Sequence, residues 1–322
     1  MHAATLNRRD FCRLSVSASL AASPVMAWAR SQAGRDGRLP IIDTHQHLWD
    51  LKKFELPWLA DYEKLRRSYL LADYWNAARG TKIVKTIYME VDVTPKQRQA
   101  EVDYVVALAR QPENRMAAAV VGGQPESPQF GDYLRGLKSS GVVKGVRAAV
   151  SSRGGRDTFE LNRDFVAGVR LLGKNGLSFD INVSPDQLPQ AAALIDQAPD
   201  TGFVLDHCGN IAPVAPAKAE VERWKRGIAE VAKRKPVICK VSGFITNSKG
   251  KTPSVEEIAM VVDHVYECFG PDRVMFAGDW PVCTLAMSLA EWVATLQQVV
   301  ASRPVAEQKQ LFHDNAARFY GV

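Results

Sequence analysis

Several signals that would direct this chain toward a familiar class are missing. No Gly-x-Gly-x-x-Gly follows an early strand-like segment, and no phosphate-binding glycine-rich loop is present, which argues against a nucleotide-binding fold. The five cysteines include no Cys-x-x-Cys pair and no zinc-ribbon spacing, so buried free thiols are expected. The formal charge is only +6, and no Lys/Arg stripe with interleaved aromatics occurs. Nucleic acid is therefore not expected as a partner.

A long apolar run is also missing, and this bears on the N-terminus. Arg8 and Arg9 precede residues 14–27, an Ala- and Ser-rich stretch that is too short and too polar to span a membrane. The pattern predicts a twin-arginine signal peptide over residues 1–29, followed by a flexible tether over residues 30–38. We therefore expect a periplasmic protein that meets the twin-arginine translocase during export and keeps no stable membrane anchor. A frayed amphipathic helix is the alternative.

The rest of the chain alternates short apolar segments with helical patterns. The apolar segments are continuous blocks rather than alternating ones, which is typical of parallel strands covered on both faces. The predicted strands are Pro40–Asp43, Ile83–Val91, Met116–Val121, Val142–Ala148, Leu177–Val183, Gly202–Asp206, Pro236–Val241 and Arg273–Ala277. The predicted helices are Gln97–Arg110, Phe159–Leu172, Pro185–Gln197, Lys218–Lys233, Val255–Phe269, Leu285–Ala301 and Glu307–Tyr320.

Eight such strands predict a single-domain (β/α)8 TIM barrel over residues 39–322. A doubly wound open sheet is the competing fold. Residues 48–82 form one long insertion after the first strand, and it is rich in aromatic side chains. It forms either a lid over the active face or an ordinarily packed loop.

Polar residues stand where the predicted strands end. In a TIM barrel these ends converge on one site, and seven polar residues there exceed what packing requires. They are His45, His47, Glu90, Arg147, His207, Ser242 and Asp279. Because side chains alternate along a strand, His45 and His47 point the same way and can share a metal ion or a carbonyl oxygen. The alternative is that they are ordinary polar residues at a strand-to-loop junction.

Six sequence motifs spread along the chain carry a family resemblance. They are Asp43-Thr-His-Gln-His-Leu-Trp-Asp50, Lys144-Gly-Val-Arg147, Phe203-Val-Leu-Asp-His207, Cys239-Lys-Val-Ser-Gly243, Met275-Phe-Ala-Gly-Asp-Trp-Pro281 and Asn315-Ala-Ala-Arg-Phe-Tyr320. Together they resemble the amidohydrolase superfamily, and within it the amidohydrolase-related branch of metal-dependent hydrolases. That branch includes sugar-acid lactonases and 2-pyrone-4,6-dicarboxylate lactonase. The resemblance extends from about residue 40 to residue 320.

The resemblance implies a hydrolase that opens a cyclic ester at the C-terminal face of the barrel. Asp279 would be the general base, with His207 beside it in the catalytic set. His45, His47, His207 and Asp279 would hold one divalent metal, Zn²⁺ or Mn²⁺. Alternatively no metal binds, and the imidazoles polarise the carbonyl directly. Strands four and five offer neither the bridging lysine nor the further histidine of two-metal members, so at most one metal is expected.

The expected substrate is a small carboxylated lactone. Arg147 would anchor its carboxylate, and Glu90, Ser242 and Lys240 would complete the substrate-binding set. Two structural interpretations stay open: a salt bridge between Arg147 and Glu90, and a partnered interior lysine at position 240. Ala148 stands where lactonase relatives often carry histidine, a departure that weakens a direct transfer of sugar-lactone specificity. A nonoxidative decarboxylase and a solute-binding barrel are the alternative functions.

Overall fold

The computed structural model describes residues 39–148, 161–248 and 250–322. The predicted signal peptide and tether lie outside the described residues. Eight parallel strands form one sheet in sequential order, which confirms the (β/α)8 barrel and excludes the doubly wound sheet. The strands are β1 Ile41–Gln46, β2 Ile83–Met89, β3 Met116–Gly122, β4 Val143–Arg147, β5 Ser178–Ile181, β6 Phe203–Leu205, β7 Val237–Val241 and β8 Val274–Phe276.

The barrel closes between β1 and β8 through side chains as well as backbone. The hydroxyl of Thr44 donates to the carbonyl oxygen of Phe276 at 2.7 Å. The amide of Gly278 donates to Oδ1 of Asp43 at 2.7 Å. Both Thr44 and Asp43 are fully buried, so these bonds are shielded from water. At this seam between β1 and β8, hydrogen bonds of two polar β1 side chains therefore do much of what a regular ladder of backbone hydrogen bonds does between the other neighbouring strands.

Helices surround the sheet, and two of them were not predicted from the sequence: one lies in the insertion after β1, and the other lies between β3 and β4. The helices are α1 Leu71–Ala77, α2 Arg98–Ala109, α3 Phe130–Ser139, α4 Arg163–Lys174, α5 Leu188–Gln197, α6 Lys218–Ala232, α7 Val255–Phe269, α8 Leu289–Val299, α9 Val305–Lys309 and α10 Asn315–Tyr320. A π-helical turn, Gln310–Asp314, separates the last two helices. Within the described ranges, no helix is long and apolar enough to cross a bilayer.

Short 3-10 segments carry much of the remaining chain between strands and helices. They are Pro57–Asp61, Glu63–Leu65, Pro95–Gln97, Pro112–Asn114, Pro185–Gln187, Asp206–Asn210, Phe244–Asn247, Pro271–Arg273 and Val282–Leu285. Three of them, those starting at Asp206, Phe244 and Val282, are the next elements after β6, β7 and β8 at the C-terminal face, and the first departs from helical backbone angles from His207 onward. Proline begins five others, where its fixed φ suits a first turn and its missing N–H costs nothing.

The core has two parts, as expected for a barrel with both sheet faces covered. A large cluster fills the space between the strands and the surrounding helices. A smaller apolar cluster, which includes Ile42, Val120 and Met275, fills the barrel interior below the polar strand ends. The barrel is therefore packed rather than hollow, and polar chemistry is confined to its C-terminal end. All four described cysteines are free, and Cys268 alone among them is incompletely buried.

The insertion after β1 packs as an aromatic cluster and also reaches the C-terminal face. The ring centroid of Trp49 lies 5.6 Å from that of Trp58 and 5.1 Å from that of Tyr69, and both ring pairs are arranged edge-to-face. Trp58 also lines the large cavity at the strand ends. The lid and the packing interpretations are thus both partly right: one segment packs on itself and supplies cavity wall.

Candidate active site

A cavity of about 640 Å³ opens at the C-terminal ends of the strands. Five of the predicted site residues line it: His47, Glu90, Arg147, His207 and Asp279. Three predicted site residues are absent from its lining: His45, Ser242 and Lys240 are fully buried beneath or behind the others. The strand-end pattern therefore predicted that these side chains lie near one another, whereas the full burial of His45, Ser242 and Lys240 is visible only in the structure.

Asp279 lies between the imidazole of His45, in β1, and that of His47, which directly follows β1. Its Oδ1 is 3.7 Å from Nε2 of His45 and 3.4 Å from Nε2 of His47. The Nδ1 of His47 is 3.0 Å from the carbonyl oxygen of Met89. Because a carbonyl can only accept, this bond puts the proton on Nδ1 and leaves Nε2 facing Asp279. Nε2 of His47 and Oδ1 of Asp279 are therefore placed either to hold a cation between them or to share a proton.

His207 sits on an unusual backbone turn that follows β6. The residues from His207 to Asn210 all have positive φ, so they form a left-handed turn. Its Nδ1 lies 2.9 Å from Oγ of Ser242, which is the residue after β7. A Cβ atom at Gly243 would lie only 2.2 Å from the same nitrogen. The hydroxyl of Ser242 and the missing side chain at Gly243 thus fix where the imidazole lies.

A buried ionic layer supports His45 from below. The ammonium of Lys240 lies 2.6 Å from Oδ2 of Asp180, 3.3 Å from Oδ1 of Asp206 and 3.4 Å from Nδ1 of His45. All four side chains are buried. The prediction that Lys240 and Ser242 contact substrate does not match this placement, since neither reaches the cavity. The open interpretation of Lys240 as a partnered interior lysine describes its contacts.

Burial and the ionic layer set the protonation of these groups. Burial lowers the pKa of His45 well below its ordinary value, against the opposing attraction of Asp206. Burial alone raises the pKa of Asp206, but the charge of Lys240 opposes it, and that pKa lies well below the usual range. Burial raises the pKa of Asp180 to about 6, although Lys240 opposes the shift. At neutral pH the His45 imidazole is therefore neutral, with a lone pair available.

Arg147 is engaged by protein groups rather than left open for a ligand. Its Nε donates to Oε1 of Glu90 at 2.6 Å, and its Nη2 donates to the Glu90 carbonyl oxygen at 3.0 Å. Its Nη1 lies 3.4 Å from Oδ2 of Asp206 and 3.5 Å from Nε2 of His45. These contacts use most of the five guanidinium N–H groups. The salt bridge between Arg147 and Glu90, left open by the sequence, is therefore present.

The residues can hold a metal ion. One ligand atom from each of His45, His207 and Asp279 lies within 4.8 Å of the others. His47 contacts Asp279 but falls outside that group. Two neutral imidazoles and a carboxylate are a common donor set for Zn²⁺. The surrounding buried charges also favour a dication, because four carboxyl groups outnumber two cations; they are Glu90, Asp180, Asp206 and Asp279 against Lys240 and Arg147.

Three buried acids around the candidate site were not among the predicted site residues: Asp43, Asp180 and Asp206. Asp43 accepts hydrogen bonds from the amides of His45 and Gly278 and from the hydroxyl of Tyr74. Asp180 and Asp206 belong to the ionic layer. An acidic residue inside an otherwise apolar strand was the available signal, because such a side chain needs a buried partner.

Comparison with known proteins finds a family and relatives that match most of this chain. The amidohydrolase family model matches residues 42–322. An L-fucono-1,5-lactonase of Burkholderia multivorans is 30% identical over 87% of this chain and 96% of its own. A crystal structure of an amidohydrolase from the same species with bound zinc has a TM-score of 0.79 and 28% identity, and covers 88% of this chain and 99% of that one.

A more distant solved structure shares only the fold. The 5-carboxyvanillate decarboxylase of Sphingomonas paucimobilis has a TM-score of 0.59 at 15% identity, covering 88% of this chain and all of that one, 100%. At that identity the likeness concerns the barrel and carries nothing about the reaction.

Proposed function

This chain belongs to the amidohydrolase family, and from that premise we propose that it hydrolyses an uncharged lactone at the cavity described above. The observation that carries the proposal is the cluster of Asp279 with three imidazoles at the barrel's C-terminal end, where the carboxylate faces the cavity. The likeness to lactonases supports the reaction class: a water molecule adds to a ring ester and the ring opens.

The proposed reaction uses Asp279 as the general base. Its carboxylate removes a proton from water as the water oxygen attacks the carbonyl carbon, and the carbonyl oxygen gains negative charge. The bond between that carbon and the ring oxygen then breaks, and the proton held by Asp279 passes to the ring oxygen. The product is a hydroxy acid, which releases a proton to the solvent at neutral pH.

His207 is proposed to stabilise the negative carbonyl oxygen. If Oγ of Ser242 donates to Nδ1, the proton of His207 lies on Nε2 and can be donated to that oxygen. If Nδ1 donates instead, Nε2 is free to ligate. His45, His207 and Asp279 would hold a divalent ion, which supplies Lewis-acid polarisation of the carbonyl.

The charge of the cavity favours an uncharged substrate over the carboxylated one expected from the sequence. Four acids are among the described residues that line it: Asp61, Glu90, Asp92 and Asp279. Arg147 is the one lysine or arginine in the same described lining, and Glu90 and Asp206 already occupy it. A carboxylate would enter against a negative potential without a free anchor. We therefore replace the carboxylate-anchoring role of Arg147 with a structural one.

The test is a panel of three substrate classes offered to the purified protein. It contains uncharged sugar 1,5-lactones, carboxylated lactones such as 2-pyrone-4,6-dicarboxylate, and aromatic carboxylates. Proton release measures lactone opening, and CO₂ release measures decarboxylation. We expect proton release with the uncharged lactones at a higher kcat/KM than with the carboxylated ones. CO₂ release without proton release would show a decarboxylase instead.

We further propose that the chain is exported by the twin-arginine route. The support is the Arg8-Arg9 pair ahead of the Ala/Ser-rich stretch. Fractionation of bacterial cells that express the full chain tests this, with Arg8→Lys/Arg9→Lys as the paired variant. The intact chain is expected in the periplasm and the variant in the cytoplasm. Equal distribution of the two would refute the proposal.

A further inference from the structure

Three asparagines from three successive strand-to-helix connections line the cavity. Asn182 follows β5, Asn210 follows β6 and Asn247 follows β7. The side-chain nitrogen of Asn210, Nδ2, donates to Oδ1 of Asn182 at 2.7 Å and to the carbonyl oxygen of Val183 at 2.9 Å. The side-chain nitrogen of Asn247, Nδ2, donates to the main-chain oxygen of Asn210 at 2.9 Å. The side chains thus form a connected carboxamide wall, consisting of Asn182, Asn210 and Asn247.

The hydrogen bonds determine what this wall can offer a ligand. Carbonyl oxygens only accept, so the contact with Val183 requires that the nitrogen of Asn210 points there. Both N–H groups of Asn210 are then used, and its Oδ1 remains as an acceptor. Asn182 accepts through its oxygen and keeps its own N–H donors, while Asn247 keeps Oδ1 and a second N–H. The wall therefore presents neighbouring donors and acceptors, the combination that a hydroxyl group needs because it both donates and accepts.

The backbone explains why asparagine suits position 210. Its φ is +57°, and it closes the left-handed turn that starts at His207. Asparagine tolerates this conformation better than most residues with a side chain. A ligand that contacts Oδ1 of Asn210 is therefore placed three residues from His207, on the same turn. Recognition and the proposed chemistry share one structural element.

An aromatic surface from the insertion after β1 lines the same cavity. Trp58 is fixed by a 2.8 Å hydrogen bond from its indole nitrogen to the carbonyl oxygen of Val91. Tyr62 also lines the cavity and is 44% exposed. Aromatic faces pack well against the C–H face of a polyhydroxylated ring. The cavity thus combines surfaces for both the apolar and the polar sides of such a ring.

We propose that the carboxamide wall of Asn182, Asn210 and Asn247 recognises ring hydroxyl groups and so selects polyhydroxylated lactones over unsubstituted ones. The inference rests on the proposed lactone hydrolysis but names residues that the hydrolytic step does not use. It assigns substrate discrimination to the loops after β5, β6 and β7.

The kinetic test compares a sugar 1,5-lactone with δ-valerolactone, which has the same ring and no hydroxyl groups. The measured quantity is the ratio of their kcat/KM values in the wild type, Asn182→Ala, Asn247→Ala and the control Asn76→Ala. Asn76 is exposed on α1 and does not line the cavity. We expect each wall variant to lower the ratio roughly 3- to 10-fold, the effect of one neutral hydrogen bond, and the control to leave it unchanged. An unchanged ratio in both wall variants would overturn the inference.

Two substitutions at position 210 distinguish a role of the side chain in recognition from its effect on backbone conformation. Asn210→Gly removes the carboxamide but keeps a residue that adopts positive φ, whereas Asn210→Ala removes both. The glycine variant is expected to lose discrimination between the two lactones at a wild-type melting temperature. The alanine variant is expected to lose thermal stability as well. Full discrimination in the glycine variant would count against a role for this side chain in recognition.

A binding measurement keeps the inference independent of catalysis. Calorimetry uses a sugar δ-lactam and δ-valerolactam, because ring amides resist hydrolysis far more than the corresponding ring esters. The wild type is expected to bind the sugar lactam more tightly, and Asn182→Ala and Asn247→Ala are expected to reduce that preference. If no lactone is hydrolysed but this preference exists and falls in the variants, the proposed reaction fails and the recognition wall stands. Equal affinity for the two lactams in the wild type refutes the wall.

Discussion

Removing the Asp43 carboxylate should destabilise the barrel strongly, because three buried donors depend on it. Its Oδ1 accepts from the amides of His45 at 3.0 Å and Gly278 at 2.7 Å, and its Oδ2 accepts from the hydroxyl of Tyr74 at 2.8 Å. Asp43→Ala leaves all three donors without their acceptor in a fully buried position. Each unsatisfied buried donor costs about 1–3 kcal/mol. We therefore expect a loss of roughly 4 kcal/mol or more of unfolding free energy, a large part of a typical total.

Two milder variants, Asp43→Asn and Tyr74→Phe, measure how much of this loss comes from the carboxylate charge and how much from the tyrosine hydrogen bond. Asp43→Asn keeps an oxygen for the two amides, and its new N–H group can donate to the Tyr74 hydroxyl if that hydroxyl rotates. Burial raises the pKa of Asp43, so the neutral amide also avoids the cost of a buried charge. We expect Asp43→Asn to cost less than about 1.5 kcal/mol and Tyr74→Phe about 1 kcal/mol.

Urea denaturation followed by circular dichroism measures all three variants and the Asp43→Ala/Tyr74→Phe double variant. The double variant should cost less than the sum of its parts, because the first change already removes the bond. The account of the seam would be refuted if Asp43→Ala lost less than about 1.5 kcal/mol. Equal losses for Asp43→Ala and Asp43→Asn would also refute it.

Three further predictions concern protonation, geometry and charge. Burial, and next the charge of Glu90, raise the pKa of Glu101 from 4.5 to about 8, so the folded state holds a proton there that the unfolded chain releases. Stability should therefore fall as pH rises from about 4.5 to 8, by up to about 5 kcal/mol, and Glu101→Gln should flatten that slope in urea denaturation at several pH values. Gly243→Ala should displace His207, because its Cβ would lie 2.2 Å from Nδ1, and steady-state kinetics should show kcat/KM reduced about 100-fold. Arg147→Ala should cost about 3–5 kcal/mol in urea denaturation, since it leaves Glu90 buried without its partner.

Each of these predictions has an outcome that contradicts it. Parallel pH slopes for the wild type and Glu101→Gln would show that this carboxyl group does not govern the pH dependence. Wild-type kcat/KM in Gly243→Ala would mean that His207 is not held against that glycine. For Arg147→Ala, a normal unfolding free energy with a raised KM would restore this side chain as a substrate anchor.

The barrel was predictable because its strands carry a strong signal. Eight continuous apolar blocks arise when both faces of a parallel sheet are covered, and the observed strands match the predicted blocks within a few residues. Helix α3 was missed because Gly131 and Gly136 weaken its helical pattern, although Phe130, Leu134 and Leu137 form its buried face. The predicted helix from Phe159 begins at Arg163, where Asn162 caps it, and residues 149–160 lie outside the described chain.

The convergence of the candidate site residues was predictable from the sequence, but their contacts were not. Strand ends meet in any TIM barrel, which is why Asp279 could be placed beside His45 and His47. The partners of Arg147 depend on pairing across 57 residues to Glu90, and no local pattern encodes that distance. The left-handed turn from His207 to Asn210 was equally hidden, because only glycine and asparagine within it hint at positive φ.

The central claim is that Asp279 activates water for lactone opening, and one measurement tests it most directly. Proton release from an uncharged sugar 1,5-lactone is followed at saturating substrate for the wild type and for Asp279→Asn, with the spontaneous rate subtracted. Asparagine keeps the shape of the side chain but cannot take a proton from water. The account predicts a loss in kcat of about 10²- to 10⁴-fold with the fold intact by circular dichroism. Turnover by Asp279→Asn at the wild-type rate would contradict it.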